Sequence, residues 1–218
     1  MRYYAIGDIH GQLDMLKTAV KYIKKNNGTK VICIGDYIDR GPDSLGVLEY
    51  LMDPPKNIEF ICLKGNHEDM MVDPYFKYNS FNYYCGIFKV KTLGRLPHKV
   101  MEWMRDLKLF HIEGDNIFAH AYYDPKELPA NQNPSAILWT RFIMGEDFGS
   151  NKLFLNHGHT PFRNGPEAMA NRFNLDCSAK DGEQLCVGIY EEGVRGPIGY
   201  CMIYKDGKHK ENIWIKDK

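Results

Sequence analysis

Long apolar runs are missing from these 218 residues. None approaches the ~18 consecutive hydrophobic residues that a membrane span needs, so no bilayer crossing is expected. Charge of one sign is missing too. The 28 Lys and Arg are matched by 28 Asp and Glu, which removes the basic surplus expected of a chain that works on nucleic acid or anionic membrane. No Cys-x-x-Cys pair occurs. The six cysteines (Cys33, Cys62, Cys85, Cys177, Cys186, Cys201) are scattered, mostly within apolar runs such as VICIG, FICLKG and LCVGIY. That pattern reads as small buried hydrophobes in a reducing compartment rather than disulfides. The apolar stretch of the N-terminal Met-Arg-Tyr-Tyr-Ala-Ile-Gly-Asp is shorter than the ~7–15 residues of a secretory signal core, so a cytoplasmic location is expected. Repeats, low-complexity tracts and linker-like segments are also absent. With 44% hydrophobic and 26% charged residues, the expectation is one folded domain over residues 1–218.

What is present is an alternation. Residues 2–7 (RYYAIG), 30–35 (KVICIG), 58–64 (IEFICLK), 116–121 (NIFAHA) and 152–156 (KLFLN) are β-branched and aromatic runs closed by polar or glycine residues, which predicts strands. Residues 12–25 carry Leu13, Leu16, Val20 and Ile23 on one helical face and Lys17, Lys21 and Lys24 on the other. A second helix follows Gly41-Pro42, with Asp43 or Ser44 as its cap, and a third spans about 97–107. From residue 173 the runs FNLDC, QLCVGIY, IGYCMIY and ENIWIK are separated by turns. The predicted class is α/β, with antiparallel strands towards the C-terminus. Within a segment at about 73–110, residues 75–88 (YFKYNSFNYYCGIF) are dense in aromatics without periodicity. They read as a cap packed over the body, with a substrate-contacting lid as the alternative.

Each first-half strand ends in groups able to bind metal. The first runs into Gly7-Asp8-Ile9-His10-Gly11, the second into Gly35-Asp36-Tyr37-Ile38-Asp39-Arg40-Gly41, and the third into Gly65-Asn66-His67-Glu68. Later come His120-Ala121 and His157-Gly158-His159-Thr160-Pro161. In open α/β sheets ligands gather beyond the carboxyl ends of strands, so five such endings are expected to meet in one crevice. A lone Asp there is usually a turn residue, but three long motifs in order make a chance match negligible. Asp8, His10, Asp36, Asn66, His120 and His159 offer oxygen and imidazole donors without thiolate. That mix suits Mn²⁺, Fe or Zn²⁺ better than an all-sulfur zinc site or an all-oxygen calcium cage. No cysteine stands in a phosphate-cradling loop.

GDIHG, GDYIDRG and GNHE, with the later FAHA, LWTR, HGHTP and NLDCSA segments, resemble the signatures of the phosphoprotein phosphatase branch of the calcineurin-like metallophosphoesterases. The compact length is similar to the bacteriophage lambda type. The resemblance runs from Arg2 to about Tyr190. It implies a central β-sandwich flanked by helices and two divalent ions, Mn²⁺ first. Asp36 would bridge them, with Asp8 and His10 on one and Asn66, His120 and His159 on the other. Two ions about 3.5–4 Å apart can ionise a bridging water for in-line attack on phosphorus, without a covalent intermediate. His67 would be the general acid, oriented by Asp39, while Arg40 and Arg141 would clamp phosphate oxygens. The implied activity is that of a serine/threonine protein phosphatase acting on phosphorylated proteins or peptides, with no membrane or nucleic-acid partner. The alternative on the same core is a symmetrical bis(5'-nucleosyl)-tetraphosphatase. Another nucleotide phosphoesterase on the same core belongs to that alternative, while a nuclease or cyclic-nucleotide phosphodiesterase fits less well because those branches generally lack DRG and the paired arginines. A non-enzymatic scaffold is disfavoured because ligands and acid occur together.

Some residues depart from that pattern. Tyr122 and Tyr123 follow Ala121, where the family usually has glycine, so the shape of the adjacent substrate wall is open. The usual Asp-Thr-Gly reads Asp176-Cys177-Ser178, with Asp176 expected in a turn. Strand alternation would point His157 and His159 to one face, making His157 a support for the site before a ligand. His98, His111 and His209 read as surface or packing histidines. Glu68 reads as an anion at a helix N-terminus. Three carboxylates and two guanidiniums leave the proposed site one negative charge, which two divalent ions would convert to three positive.

Overall fold

The computed structural model describes residues 1–73, 84, 86–88 and 98–214, and its framework is two sheets packed face to face. In chain order the first half contains β1 (Arg2–Ile6), α1 (Leu13–Lys25), β2 (Lys30–Cys33), α2 (Ser44–Met52), β3 (Glu59–Cys62), α3 (Asn66–Val72) and α4 (His98–Asp106). The second half adds β4 (Phe110–Glu113), β5 (Asn116–Ala119), α5 (Pro134–Trp139), β6 (Phe154–His157), β7 (Glu167–Ala168), β8 (Arg172–Asn174), β9 (Gln184–Glu191), β10 (Gly199–Tyr204) and β11 (His209–Ile213). The six-stranded sheet has the order β11-β10-β9-β1-β2-β3 and the five-stranded sheet β4-β5-β6-β8-β7. β1, β2 and β3 are parallel, and β9 joins β1 antiparallel, with β10 and β11 continuing the meander.

Strand alternation builds the layers. Tyr4 and Ile6 of β1 pack with Leu16, Val20 and Ile23 of α1, while Tyr3 and Ala5 face the other way. There they meet Ile32, Ile34, Phe118, Phe173 and Leu175 between the two sheets. On β5, Phe118 enters that inter-sheet core, whereas Ile117 and Ala119 pack outward with Ile137 of α5. This is a period-two pattern buried on both faces. α1 buries Met15, Leu16, Ala19, Val20, Tyr22 and Ile23, with Asp14 in its first turn and Lys24 and Lys25 in its last, a charge order that favours the helix dipole. Asp43 caps α2, its carboxylate accepting from Gly46 N at 2.9 Å.

The alternation of strand and helix, the β-sandwich and the antiparallel C-terminal strands agree with the sequence reading. One element of that reading is corrected: the five motif-bearing ends come from two sheets, β1, β2 and β3 in one and β5 and β6 in the other. β4, β7 and α5 were not foreseen, being too short to show a period. Cys33, Cys177, Cys186 and Cys201 are buried free thiols and Cys62 is partly buried, while Cys85 lies outside the described residues. Most of the aromatic stretch 75–88 also lies outside them; Tyr84 and Phe88 are buried in the cluster that contains Val100 and Met104. No described helix is long and apolar enough to cross a membrane.

Candidate active site

The motif residues sit where strands stop and the backbone turns sharply. Among the described residues seven non-glycine positions have positive φ, and five are candidate site residues: His10 (45°), Asp36 (51°), Asp39 (72°), Arg40 (69°) and His159 (65°). Left-handed backbone at such residues costs roughly 1–3 kcal/mol each, so the surroundings must enforce it. Glu68 does so for the Asp36 turn. Its fully buried carboxylate accepts from the backbone N–H groups of Asp36 (2.9 Å), Tyr37 (2.7 Å), Ile38 (3.2 Å) and Gly65 (3.0 Å). Four such hydrogen bonds, at about 0.5–1.5 kcal/mol each, are together enough to offset the local strain. Glu68 is therefore more than an anion at a helix N-terminus: it is the strut of the Asp-x-x-Asp-Arg loop. Glu68→Ala is expected to lower the unfolding free energy by about 3 kcal/mol or more, because four buried donors lose their acceptor. A denaturant midpoint unchanged from the parent chain would remove that role.

Two glycines make close approach possible. A Cβ on Gly158 would lie 1.9 Å from Asp8 Oδ1, and one on Gly65 would lie 2.2 Å from Asp36 Oδ1. With them in place, Asp8, His10, Asp36, Arg40, Asn66, His67, Arg141 and His159 line one cleft of about 130 Å³, together with Pro161, Asp176 and Lys180. His120 lies just beneath, its Nε2 2.9 Å from Asn66 Oδ1 and 3.4 Å from Asp36 Oδ1. Asn66 Oδ1 is also 3.0 Å from His159 Nδ1. Asp36 Oδ2 lies 3.5 Å from His10 Nε2 and 3.8 Å from His67 Nε2. Asp39 stands behind His67 and bonds its Nδ1. Asp8 Oδ2 accepts from His159 N at 3.1 Å. All ten residues singled out in the sequence thus meet in one place.

The electrostatics are those of a site short of positive charge. Burial, then Asp176 and Asp36, push the Asp8 carboxyl well above its usual range. Asp176 is driven up to about 7, chiefly by burial. Glu68 rises to about 8 through burial and the nearby Asp36. For Asp36, burial acts to raise the value, but His120, His67 and His10, when their rings are protonated, would outweigh it and lower the group to about 2. Burial lowers His10 and His120, favouring their neutral forms. At His67 burial works against the charged form, yet the bond to Asp39 and the charge of Asp36 prevail and raise it.

The donor set fits divalent cations. His10 Nδ1 lies 2.9 Å from Ile38 O and His120 Nδ1 lies 3.1 Å from Ile34 O. Each carbonyl takes the ring proton, so both Nε2 lone pairs face Asp36. Lone pairs and a carboxylate converging at 3.4–3.5 Å repel unless a cation lies between them. Asp8 Oδ1 is buried and without a hydrogen-bond partner, another donor awaiting an acceptor of electrons. Among the described residues two clusters have the spacing to hold an ion: His10, Asp36 and His67, and Asp36, His120 and His159. His67 stands in the first of these, whereas the sequence reading had Asp8 beside His10.

Of the remaining positions, some follow the sequence reading and some depart from it. Asp176 does make the expected turn bond, accepting from Ser178 N at 3.0 Å, but it also lines the cleft. Lys180 lines the cleft as well, and no motif marked it. His157 turns away from the cluster: its Nε2 faces Arg172 Nη1 at 3.2 Å, and His159 departs from strand geometry, so alternation no longer relates the two rings. Tyr122 and Tyr123 pack with Phe142 and Phe110 in the outer core and do not line the cleft. His98 is exposed, and His111 and His209 make ordinary packing contacts.

Known proteins are similar to this chain to different extents. The symmetrical bis(5'-nucleosyl)-tetraphosphatase of Cellvibrio japonicus is 33% identical over 165 residues, covering 72% of this chain and 57% of the relative. The chain spans about half the length of the tetraphosphatases of that name that it matches. Serine/threonine-protein phosphatase 2 of Escherichia coli K12 is 37% identical over 210 residues, covering 84% of this chain and 89% of the relative. In fold, the chain is similar to the crystal structure of a cold-active protein-tyrosine phosphatase of a psychrophilic Shewanella, with a TM-score of 0.69 at 16% identity, over 96% of this chain and 80% of that one. The model of the family described as calcineurin-like phosphoesterase matches residues 1–186. Because that match takes in all three strand-end motifs and both later histidine segments, the chain belongs to the calcineurin-like phosphoesterase family.

Proposed function

We propose that the chain is a metal-dependent phosphomonoesterase of the phosphoprotein phosphatase branch, acting on phosphoserine and phosphothreonine in proteins or peptides. The observation that carries the reading is the pairing of two exposed guanidiniums, Arg40 and Arg141, with a small polar cleft floored by Asp36 and the imidazoles. Such a cleft suits one tetrahedral dianion presented at the end of a side chain. The similarity to the Escherichia coli serine/threonine-protein phosphatase over most of both chains supports the same reading. Asp8, His10 and Asp36 would hold one divalent ion, and Asp36, Asn66, His120 and His159 a second. Mn²⁺ is the proposed metal, and the same donors accept Fe or Zn²⁺. Bound there, such ions polarise phosphoryl oxygens and bring the pKa of a water towards neutrality.

The protein's own groups do the rest. Arg40 and Arg141 donate to the phosphate oxygens and orient phosphorus for in-line attack. As the new P–O bond forms, the bond to the ester oxygen breaks. His67 donates its Nε2 proton to that departing oxygen, while Asp39 accepts from Nδ1 and steadies the ring.

The discriminating experiment compares kcat/KM on phosphoserine peptides and on diadenosine tetraphosphate with one preparation loaded with Mn²⁺. The expected order favours the peptides; the reverse order moves the assignment to the symmetrical tetraphosphatase, the name carried by other relatives. Exhaustive chelation is expected to abolish both activities. Full turnover in protein shown to be metal-free would end the dinuclear reading.

A further inference from the structure

Behind the cleft, Arg172 is buried to 0% exposure, an unusual place for a guanidinium. Its contacts go to three segments. Nη1 donates to Glu167 Oε2 at 2.6 Å and lies 3.2 Å from His157 Nε2, and Nε donates to the Glu146 carbonyl at 2.6 Å. Its Cζ stacks 4.6 Å from the centroid of the Phe142 ring, which itself lies 4.9 Å from the His157 ring. Arginine can only donate, so His157 Nε2 accepts and its proton sits on Nδ1, which faces the Gly158 carbonyl at 3.0 Å. Gly158 N in turn donates to His120 O at 2.8 Å. The guanidinium therefore grips the loop after α5 at two points, Phe142 and Glu146, and reaches the His157–His159 turn through one imidazole. Arg141 is adjacent to Phe142, and its Nη1 donates to His159 O at 2.9 Å. Nothing in the chemistry proposed above uses Arg172 or His157.

We infer that Arg172 is a positioning residue that holds Arg141 at its working distance from the His159 side of the cleft, acting through Phe142 and His157. The inference rests on the proposed role of Arg141 as a phosphate clamp. A buried ion pair contributes little net stability once desolvation is counted, so its place here is explained better by the geometry it imposes.

The test uses the full chain loaded with Mn²⁺, with p-nitrophenyl phosphate kinetics and calorimetric titration of inorganic phosphate. Arg172→Gln is expected to raise KM and weaken phosphate binding by about tenfold, with a smaller change in kcat, since the clamp is displaced and not removed. Arg172→Lys should recover only part of the loss, because one ammonium cannot replace the planar fork. In the double variant with Arg141→Ala, the Arg172→Gln substitution should add nothing to KM beyond the Arg141→Ala value. Where Arg172→Gln fails to fold, Phe142→Leu removes the stacking surface and should shift KM and phosphate affinity the same way. Unchanged KM and phosphate affinity in whichever variant folds overturns the inference, as does a full additive loss in the double variant. If Arg141→Ala alone leaves both readouts unchanged, the clamp reading fails and the inference fails with it.

Discussion

Replacing Asp36 with asparagine is expected to lower kcat/KM on p-nitrophenyl phosphate by about a thousandfold or more, roughly 4 kcal/mol of transition-state stabilisation. The two carboxylate oxygens face three imidazoles at 3.4–3.8 Å, with His10 and His67 on one and His120 on the other. An amide keeps the shape but offers one oxygen, no charge and an N–H₂ aimed at a ring nitrogen that is itself a lone-pair donor. Both ion positions should weaken together, so bound metal per chain should fall in parallel with the rate. The measurement is kcat/KM alongside metal content after gel filtration. A variant that keeps two ions and a rate within tenfold of the parent would take Asp36 out of the centre of the site. The backbone at Asp36 is held independently by Glu68, so the loop should persist and the loss should not be one of folding.

His67→Asn should divide substrates by their leaving group. On a phosphoserine peptide, whose alkoxide must be protonated as it departs, kcat is expected to fall by about 10²–10⁴-fold. On p-nitrophenyl phosphate the loss should be far smaller, because p-nitrophenolate leaves without a proton. The bond from His67 to Asp39 and the nearby Asp36 both favour the protonated ring, the form an acid needs. Asp39→Asn should show the same pattern at lower amplitude, since it removes the partner and spares the ring. Equal losses on both substrates would strip His67 of the acid role. They would instead support a ligand role, which its place in a cluster with His10 and Asp36 makes the specific rival.

Much of the fold was legible because its first half obeys simple periods. The leucine and valine spacing of α1 marks one buried face, and the runs at β1, β2 and β3 are bounded by polar residues and glycines. The elements that escaped, β4, β7 and α5, have six residues or fewer; β4 and α5 pack through Phe110 and Ile137 into the cluster around Ile117, and β7 forms by pairing with β8. At the site, residue types and order were legible. Glu68 was misweighted because its partners are backbone N–H groups, which carry no sequence signature. Arg172 was invisible for a related reason: its partners lie 5, 15, 26 and 30 positions away, on segments that only folding brings together.

The sequence by itself determined the chemistry available here: oxygen and imidazole donors, two arginines flanking them in order, and no thiolate among them. It also determined the strand ends at which the backbone would turn. Only the tertiary structure decided that those ends belong to two sheets, that Asp176 and Lys180 share the cleft, and that His157 faces away from it. The physical reason is that donor type is a property of a single side chain. Direction is a property of φ, of burial and of what stands behind it, as the left-handed turns at His10, Asp36 and His159 make plain.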